Sequence, residues 1–277
     1  MTAVAQRAVR AVIEYDGTAF AGSQVQPNAR TVQGELEKAL NRLIGEGTRV
    51  RLAGRTDAGV HATGQVAAFR LPPGEGLARV RERMNAILPP DLVVRTLSPA
   101  PQGFDPRRDA RWRVYRYRIL MDGARRPLAR HRTLEIDERL DVAAMRAAAG
   151  RMVGRRDFAA LGSDANGRTV RHLADVRVTR RGNLVEVHVT ANAFLRRMVR
   201  SIVSILLAVG LGRLAPEEVD RLLAEPGRAL HGRAAPPHGL TLERVVYGSA
   251  DNQTDRQTAA RSSAAGDNEG KPESAST

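Results

Sequence analysis

Apolar residues along this chain switch between a period of two and a period near 3.6, in an order that occurs twice. That order constrains the fold more than any other feature. Residues 8–15 alternate, with Val9, Ala11, Ile13 and Tyr15 on one side, the pattern of a strand buried on one face. Asp16-Gly17 then marks a turn. Over 31–45, Val32, Leu36, Ala39, Leu40, Leu43 and Ile44 recur at helical spacing, with Thr31 as N-cap and Gly45 as stop. Strands follow over 49–53 and 64–70 around a Gly-rich loop, then a helix over 77–88 and a strand over 91–97. The order restarts with a strand over 111–120, a helix over 141–153 capped by Asp141, and strands over 172–179 and 184–189. A helix over 194–209, a short one over 216–223 with Pro216 in its first turn, and a strand over 241–247 complete it. Two strand–helix–strand–strand–helix–strand units predict an α+β protein. It is pseudo-duplicated from split βαββαβ units, with antiparallel or mixed sheets and a basic cleft between the halves. The halves divide as 1–103 and 104–248, and the Ser, Thr, Ala, Asn and Gly of 249–277 predict a disordered tail.

The charge points to a partner. The 277 residues carry a formal net charge of +14, and all but two of the 44 basic residues are arginines, the exceptions being Lys38 and Lys271. A coding bias explains arginine in place of lysine, but less readily the surplus over 30 acidic residues. A polyanion explains both, because the guanidinium fork gives phosphate two parallel hydrogen bonds. The absence of cysteine excludes disulfides, thiolate nucleophiles and cysteine-ligated zinc. The first ten residues include Arg7 and Arg10 and no apolar core of a signal peptide, and the longest apolar stretch, 202–211, is too short to span a bilayer. A soluble, cytoplasmic protein is expected.

Chemistry concentrates in Gly54-Arg55-Thr56-Asp57-Ala58-Gly59-Val60-His61, between two predicted strands. Its glycines permit a tight, exposed loop, although Asp before Ala-Gly also suits an ordinary turn. The six histidines, at 61, 131, 172, 188, 231 and 238, show no metal-ligand spacing, and no P-loop or hydrolytic triad is present. His61 reads as a structural loop histidine. Asp57, in a basic setting, is left as the best-placed reactive group, serving as nucleophile or base. An arginine about 4 Å away, at an effective dielectric near 20, contributes roughly 4 kcal/mol before desolvation.

The loop resembles the signature of the TruA-type tRNA pseudouridine synthases, and other segments follow in the family's order. Tyr15-Asp16-Gly17-Thr18 with Phe20, Gly22, Gln24 and Gln26 comes first, then Arg30-Thr31-Val32-Gln33-Gly34 with Leu36 and Glu37. Gln65, Asn85 with Leu88-Pro89, Tyr115-Arg116-Tyr117 and Thr169-Val170-Arg171 continue it. Ala193-Phe194-Leu195-Arg196-Arg197-Met198-Val199-Arg200 and Ala235-Pro236-Pro237 with Gly239-Leu240 close it. The likeness implies roles. Asp57 is the essential aspartate, acting while the base detaches from the ribose and rejoins through C5. Tyr115 stacks on the target base, Arg200 pairs with Asp57, and Arg55 helps turn the nucleotide out of its stack. It also implies uridines 38 to 40 of the tRNA anticodon arm as target, no cofactor or metal, and a homodimer. Three segments depart from the family: Phe104-Asp105-Pro106-Arg107-Arg108, Arg156-Asp157-Phe158, and Ser204 in place of a glycine.

The physics suits these roles. A uridine stacked in an A-form stem hides C5, so it must be extruded at a cost of a few kcal/mol, of which aromatic stacking returns about 1–3 kcal/mol. Tyr115 suits a packed sheet position equally well. The helix predicted from Phe194 places Arg196, Arg197 and Arg200 on one side, opposite Ile202, Ile205, Leu206 and Val209. An RNA-binding protein of the same fold without catalysis is the alternative. A metal-dependent nuclease needs clustered carboxylates that the sequence lacks.

Overall fold

In the computed structural model, which describes residues 6–225 and 234–248, the first alternating segment forms β1 (Arg7–Tyr15). The predicted disordered tail, 249–277, lies outside the described residues. Thr31 accepts from the Gly34 amide and starts α1 (Val32–Ile44), and Gly45, at a φ of 91°, ends it. β2 (Arg51–Leu52), β3 (His61–Leu71), α2 (Leu77–Ile87) and β4 (Leu92–Pro99) follow. The second half runs β5 (Trp112–Met121), β6 (Leu134–Ile136), α3 (Val142–Met152), β7 (Gly154–Asp157), β8 (Val170–Arg181) and β9 (Leu184–Ala191). It ends with α4 (Met198–Gly210), α5 (Glu218–Ala224) and β10 (Leu240–Val246).

All ten strands belong to one sheet, ordered β4-β1-β3-β10-β5-β9-β8-β7, with β2 on β3 and β6 on β5. Its pairs are antiparallel except β3 with β10 and β5 with β6. β2 and β10 divide one edge of β3. β2 takes Ala67 and Ala68, and β10 takes His61 and Ala62. The seam between the halves is therefore two residues long in register. There the backbones press together, since a bulge in β10 brings the Glu243 carbonyl where a Cβ on Gly64 would lie, 2.1 Å away. Only glycine fits.

Alternation along β1, β5 and β9 buries one face of the sheet throughout. Ile13, Ile119 and Val187 pack there, in one cluster with Leu36 and Leu40 of α1, Met145 of α3, and Ile202 and Leu206 of α4. Each such side chain contributes roughly 1.5–3 kcal/mol by leaving water. The opposite phase is polar and half-buried. Arg118 pairs with Glu186 at 3.0 Å across β5 and β9, and Arg116 with Glu243 at 3.1 Å.

Four local readings need correction. The helix predicted over 194–209 starts only at Met198, because Arg197 sits in the left-handed region at a φ of 65° and Arg196 forms a β-bridge to Ser163. Gly162 makes this possible, since a Cβ there would lie 2.5 Å from the Arg196 carbonyl oxygen. Arg196 and Arg197 therefore do not share a helical face with Arg200. The helix expected from Pro216 begins at Glu218. β6 and β7, three and four residues long, are too short for a period to mark them in the sequence.

Candidate active site

The chain between β2 and β3 is held from three sides. Gln65, on β3, accepts from the Gly54 amide at 3.3 Å and donates to the Gly54 carbonyl at 2.8 Å, closing the base of the loop. Ser23 exchanges two bonds with Thr56, its hydroxyl accepting from the Thr56 amide and its amide donating to the Thr56 carbonyl. The Thr56 and Tyr15 hydroxyls lie 2.9 Å apart. The Asp57 carbonyl accepts from the Val60 amide at 3.2 Å, making the turn. Gly17 packs so closely that a Cβ would sit 2.0 Å from the Val60 carbonyl oxygen. The motif residues before α1 thus act as a mould for the loop.

Asp57 reaches out of that mould to α4. Arg200 donates from Nη1 to its Oδ2 at 3.0 Å, across 143 residues of sequence. The two side chains are 28% and 15% exposed, so the pair is shielded yet accessible from outside. Arg200 is fixed in turn, donating from Nε to the Ala235 carbonyl at 2.6 Å while its own carbonyl accepts from the Ala235 amide. The strap after Ala235 is tied down twice more. The Tyr117 hydroxyl donates to the Pro236 carbonyl at 2.9 Å, and His61 Nε2 lies 3.0 Å from the His238 carbonyl. On its other side His61 Nδ1 faces the Gly17 amide at 3.0 Å and Asp16 Oδ1 at 3.2 Å. His61 is a structural brace.

Tyr115, in the inward phase of β5, packs edge-on against Phe194 with centroids 5.1 Å apart, and a Cβ on Gly54 would lie 3.9 Å from its hydroxyl. It is 6% exposed. Burial, then the proximity of Tyr15, pushes its phenol well above the usual range, so at neutral pH it is a neutral ring and not a phenolate base. Arg55 is exposed and makes no hydrogen bond or ion pair among the described residues. The structure thus brings Asp57, Arg200 and Tyr115 together and leaves Arg55, two residues before Asp57, with no partner among the described residues.

A residue not singled out by sequence is Arg113. Buried in the phase of Tyr115 and Tyr117, it donates to the carbonyls of Ala53, Arg107, Ala110 and Asn192. It gathers the loop's entry, the 104–110 segment and the end of β9 around one cation, and burial lowers its pKa. An arginine in the inward phase of a strand was the available signal. The departing segment at Asp105 belongs to this assembly. Asp105 accepts from the amides of Arg107 and Arg108, and the Pro106 carbonyl accepts from Tyr247. Arg156 pairs with Asp220. Among the described residues no three His, Asp or Glu converge as metal ligands, and no helix is long and apolar enough to cross a membrane.

Three buried phenols give the fold an alkaline limit. Tyr15 is pushed up to about 12 by burial, against hydrogen bonds from Thr56 and Gln65, and Tyr115 and Tyr117 are raised by burial as well. The unfolded chain ionises near pH 10 while the folded one stays neutral. Stability is therefore intact below pH 10 and lost as pH rises towards the folded values, by about 1.4 kcal/mol per pH unit for each tyrosine. Urea unfolding between pH 9 and 11 should show this fall, and Tyr15→Phe should reduce its slope.

A sequence profile of the tRNA pseudouridine synthase family matches residues 11–107 and 148–248. Among curated proteins, the tRNA pseudouridine synthase A of Citrifermentans bemidjiense is 43% identical over 244 residues, covering 87% of this chain and 98% of that one. Those of Geobacter sulfurreducens and Chloroflexus aurantiacus are 42% and 45% identical, each again over 87% of this chain, and 100% and 89% of their own. The matched segments contain the Asp57 loop, the Arg200 helix and the Ala235 strap, and on this evidence the chain belongs to the tRNA pseudouridine synthase family of isomerases.

Proposed function

We propose that the protein converts uridine to pseudouridine at positions 38 to 40 of the tRNA anticodon arm, with Asp57 as its catalytic carboxylate. The observation carrying this is the Asp57–Arg200 pair, 3.0 Å apart and half-shielded, beside the buried Tyr115 ring. The reaction breaks N1–C1′, forms C5–C1′ and moves a proton from C5 to N1, with no change in oxidation state. It needs one group acting on the ribose and a surface that keeps the freed uracil from diffusing. Asp57 acts on the ribose as nucleophile, with Arg200 as counter-ion and anchor. Tyr115 receives the face of the extruded base, and the free guanidinium of Arg55 assists extrusion.

The wider reading follows. β1 is flanked by β3 and β4 as β5 is by β9 and β10, and β2 lies on β3 as β8 lies on β9. This supports two duplicated halves, 1–103 and 104–248, with a basic cleft where they meet to hold the anticodon arm. A homodimer working in the cytoplasm, without cofactor, completes the proposal. Purified protein incubated with an unmodified tRNA transcript tests it. Carbodiimide mapping should show new stops at positions 38 to 40 only, and stops elsewhere or none would overturn it.

A further inference from the structure

Around the first turn of α4, the helix that carries Arg200, lies an open cavity of about 360 Å³ that neither Asp57 nor Arg200 lines. Its walls include Gly162, Ser163, Arg196, Arg197, Ser201 and Ser204, and among the described residues no carboxylate faces it. Ser201 follows Arg200 on α4, and Ala234 precedes the Ala235 whose carbonyl holds Arg200, so the cavity shares two stretches of backbone with the support of the Asp57–Arg200 pair. Arg196 and Arg197 are exposed, and their guanidinium groups make no hydrogen bond or ion pair among the described residues. The left-handed backbone of Arg197 and the bridge from Arg196 to Ser163 bring two consecutive arginines to one cavity, which a continuous helix would not do. Two forks with no partner among the described residues, with Ser163 and Ser201 in the same wall, match the oxyanion of a phosphodiester, and an open rim suits a polymer lying across it.

We propose that this cavity is a subsite for an RNA backbone phosphate adjoining the target nucleotide. The proposal rests on the reading of Asp57 as the centre of a tRNA-modifying site. A phosphate held there fixes the strand on one side while the uridine turns towards Asp57, so Arg196 and Arg197 act in substrate positioning.

The test is a double variant, Arg196→Gln with Arg197→Asn, since asparagine tolerates the left-handed backbone while both charges go. Filter binding of a tRNA transcript is measured across a salt series. The variant should bind three- to tenfold more weakly at about 0.1 M salt. Its log–log salt slope should be shallower by about 0.7–0.9 for the lost phosphate. The loss should appear in KM by the same factor. An unchanged slope and affinity would overturn the proposal. So would a fall in kcat at unchanged affinity, which would mean that this turn merely sets Arg200. A variant that loses affinity for inorganic phosphate yet keeps the wild-type tRNA slope would mark a free-anion pocket, also overturning it. If the double variant melts early, Arg196→Gln alone carries the test. Uridine conversion by the wild-type protein is scored in the same tubes. No conversion there defeats the enzymatic reading, whereas conversion with an unaltered variant slope defeats only the subsite.

Discussion

Asp57→Asn should abolish pseudouridine formation, by a thousandfold or more, while tRNA affinity stays within about threefold. Asparagine keeps the shape of the side chain and an oxygen able to accept from Arg200 Nη1, so the contact to α4 survives. What disappears is the negative charge and with it the nucleophilic oxygen proposed to act on the ribose. A thousandfold loss is about 4 kcal/mol of transition-state stabilisation, within the range expected for a group that bonds to the reacting atoms. A chain with a net charge of +14 is expected to spread RNA binding over many phosphates, and a carboxylate, which repels the backbone, adds nothing to it. Single-turnover assays by mass spectrometry, with filter binding alongside, separate the two quantities. Normal turnover in the variant would remove Asp57 from the chemistry. A parallel loss of binding would make it a docking residue.

The second large effect is at the seam. Gly64→Ala should lower stability by about 3 kcal/mol or more, and Tm by roughly 6–12 °C, with activity falling in proportion. The added methyl would stand 2.1 Å from the Glu243 carbonyl oxygen and 3.1 Å from the Arg244 Cα, both backbone atoms that cannot rotate away. β10 must then part from β3, where only Thr241 and Leu242 are in register with it. Displacing β10 pulls on Gly239, His238 and the strap that holds Arg200, so the Asp57–Arg200 contact should loosen before the core melts. Gly123→Ala is the control, with open space around the new methyl and an expected change within about 0.5 kcal/mol. A melt of Gly64→Ala within 2 °C of wild type would show that the seam yields easily.

Period and capping chemistry made most of the fold legible before any coordinates. β1, α1, α2, β5 and α3 begin and end within a residue or so of the limits read from alternation, from Thr31 and from Asp141. What escaped depended on contacts between segments far apart in sequence. The false start of the 194–209 helix is an example. Its residues carry a good helical pattern, but the close approach of Gly162 and the bridge to Ser163 win over local propensity. The joining of both halves into one sheet was equally hidden, because β10 read as a strand without a partner. Within the site, Asp57 was visible as the lone carboxylate of a glycine-bounded loop in a basic chain. Its pairing with Arg200 came from the resemblance, and coordinates then supplied the 3.0 Å contact. Arg113 went unnoticed because, on paper, it is one of forty-two arginines, and only burial among four carbonyls sets it apart.

The strap that fastens Arg200 lies beyond Ala235, and the strand that seats it is the last of the ten. A chain cut before that strand would therefore hold both Asp57 and Arg200 yet lack the carbonyl that fixes the arginine. The last strand of the described residues lies between two neighbours, β3 and β5, that precede it by more than a hundred residues. Such late, distant closure makes for slow maturation. It also ties the arrangement of the Asp57–Arg200 pair to completion of the whole sheet, and not to either half alone.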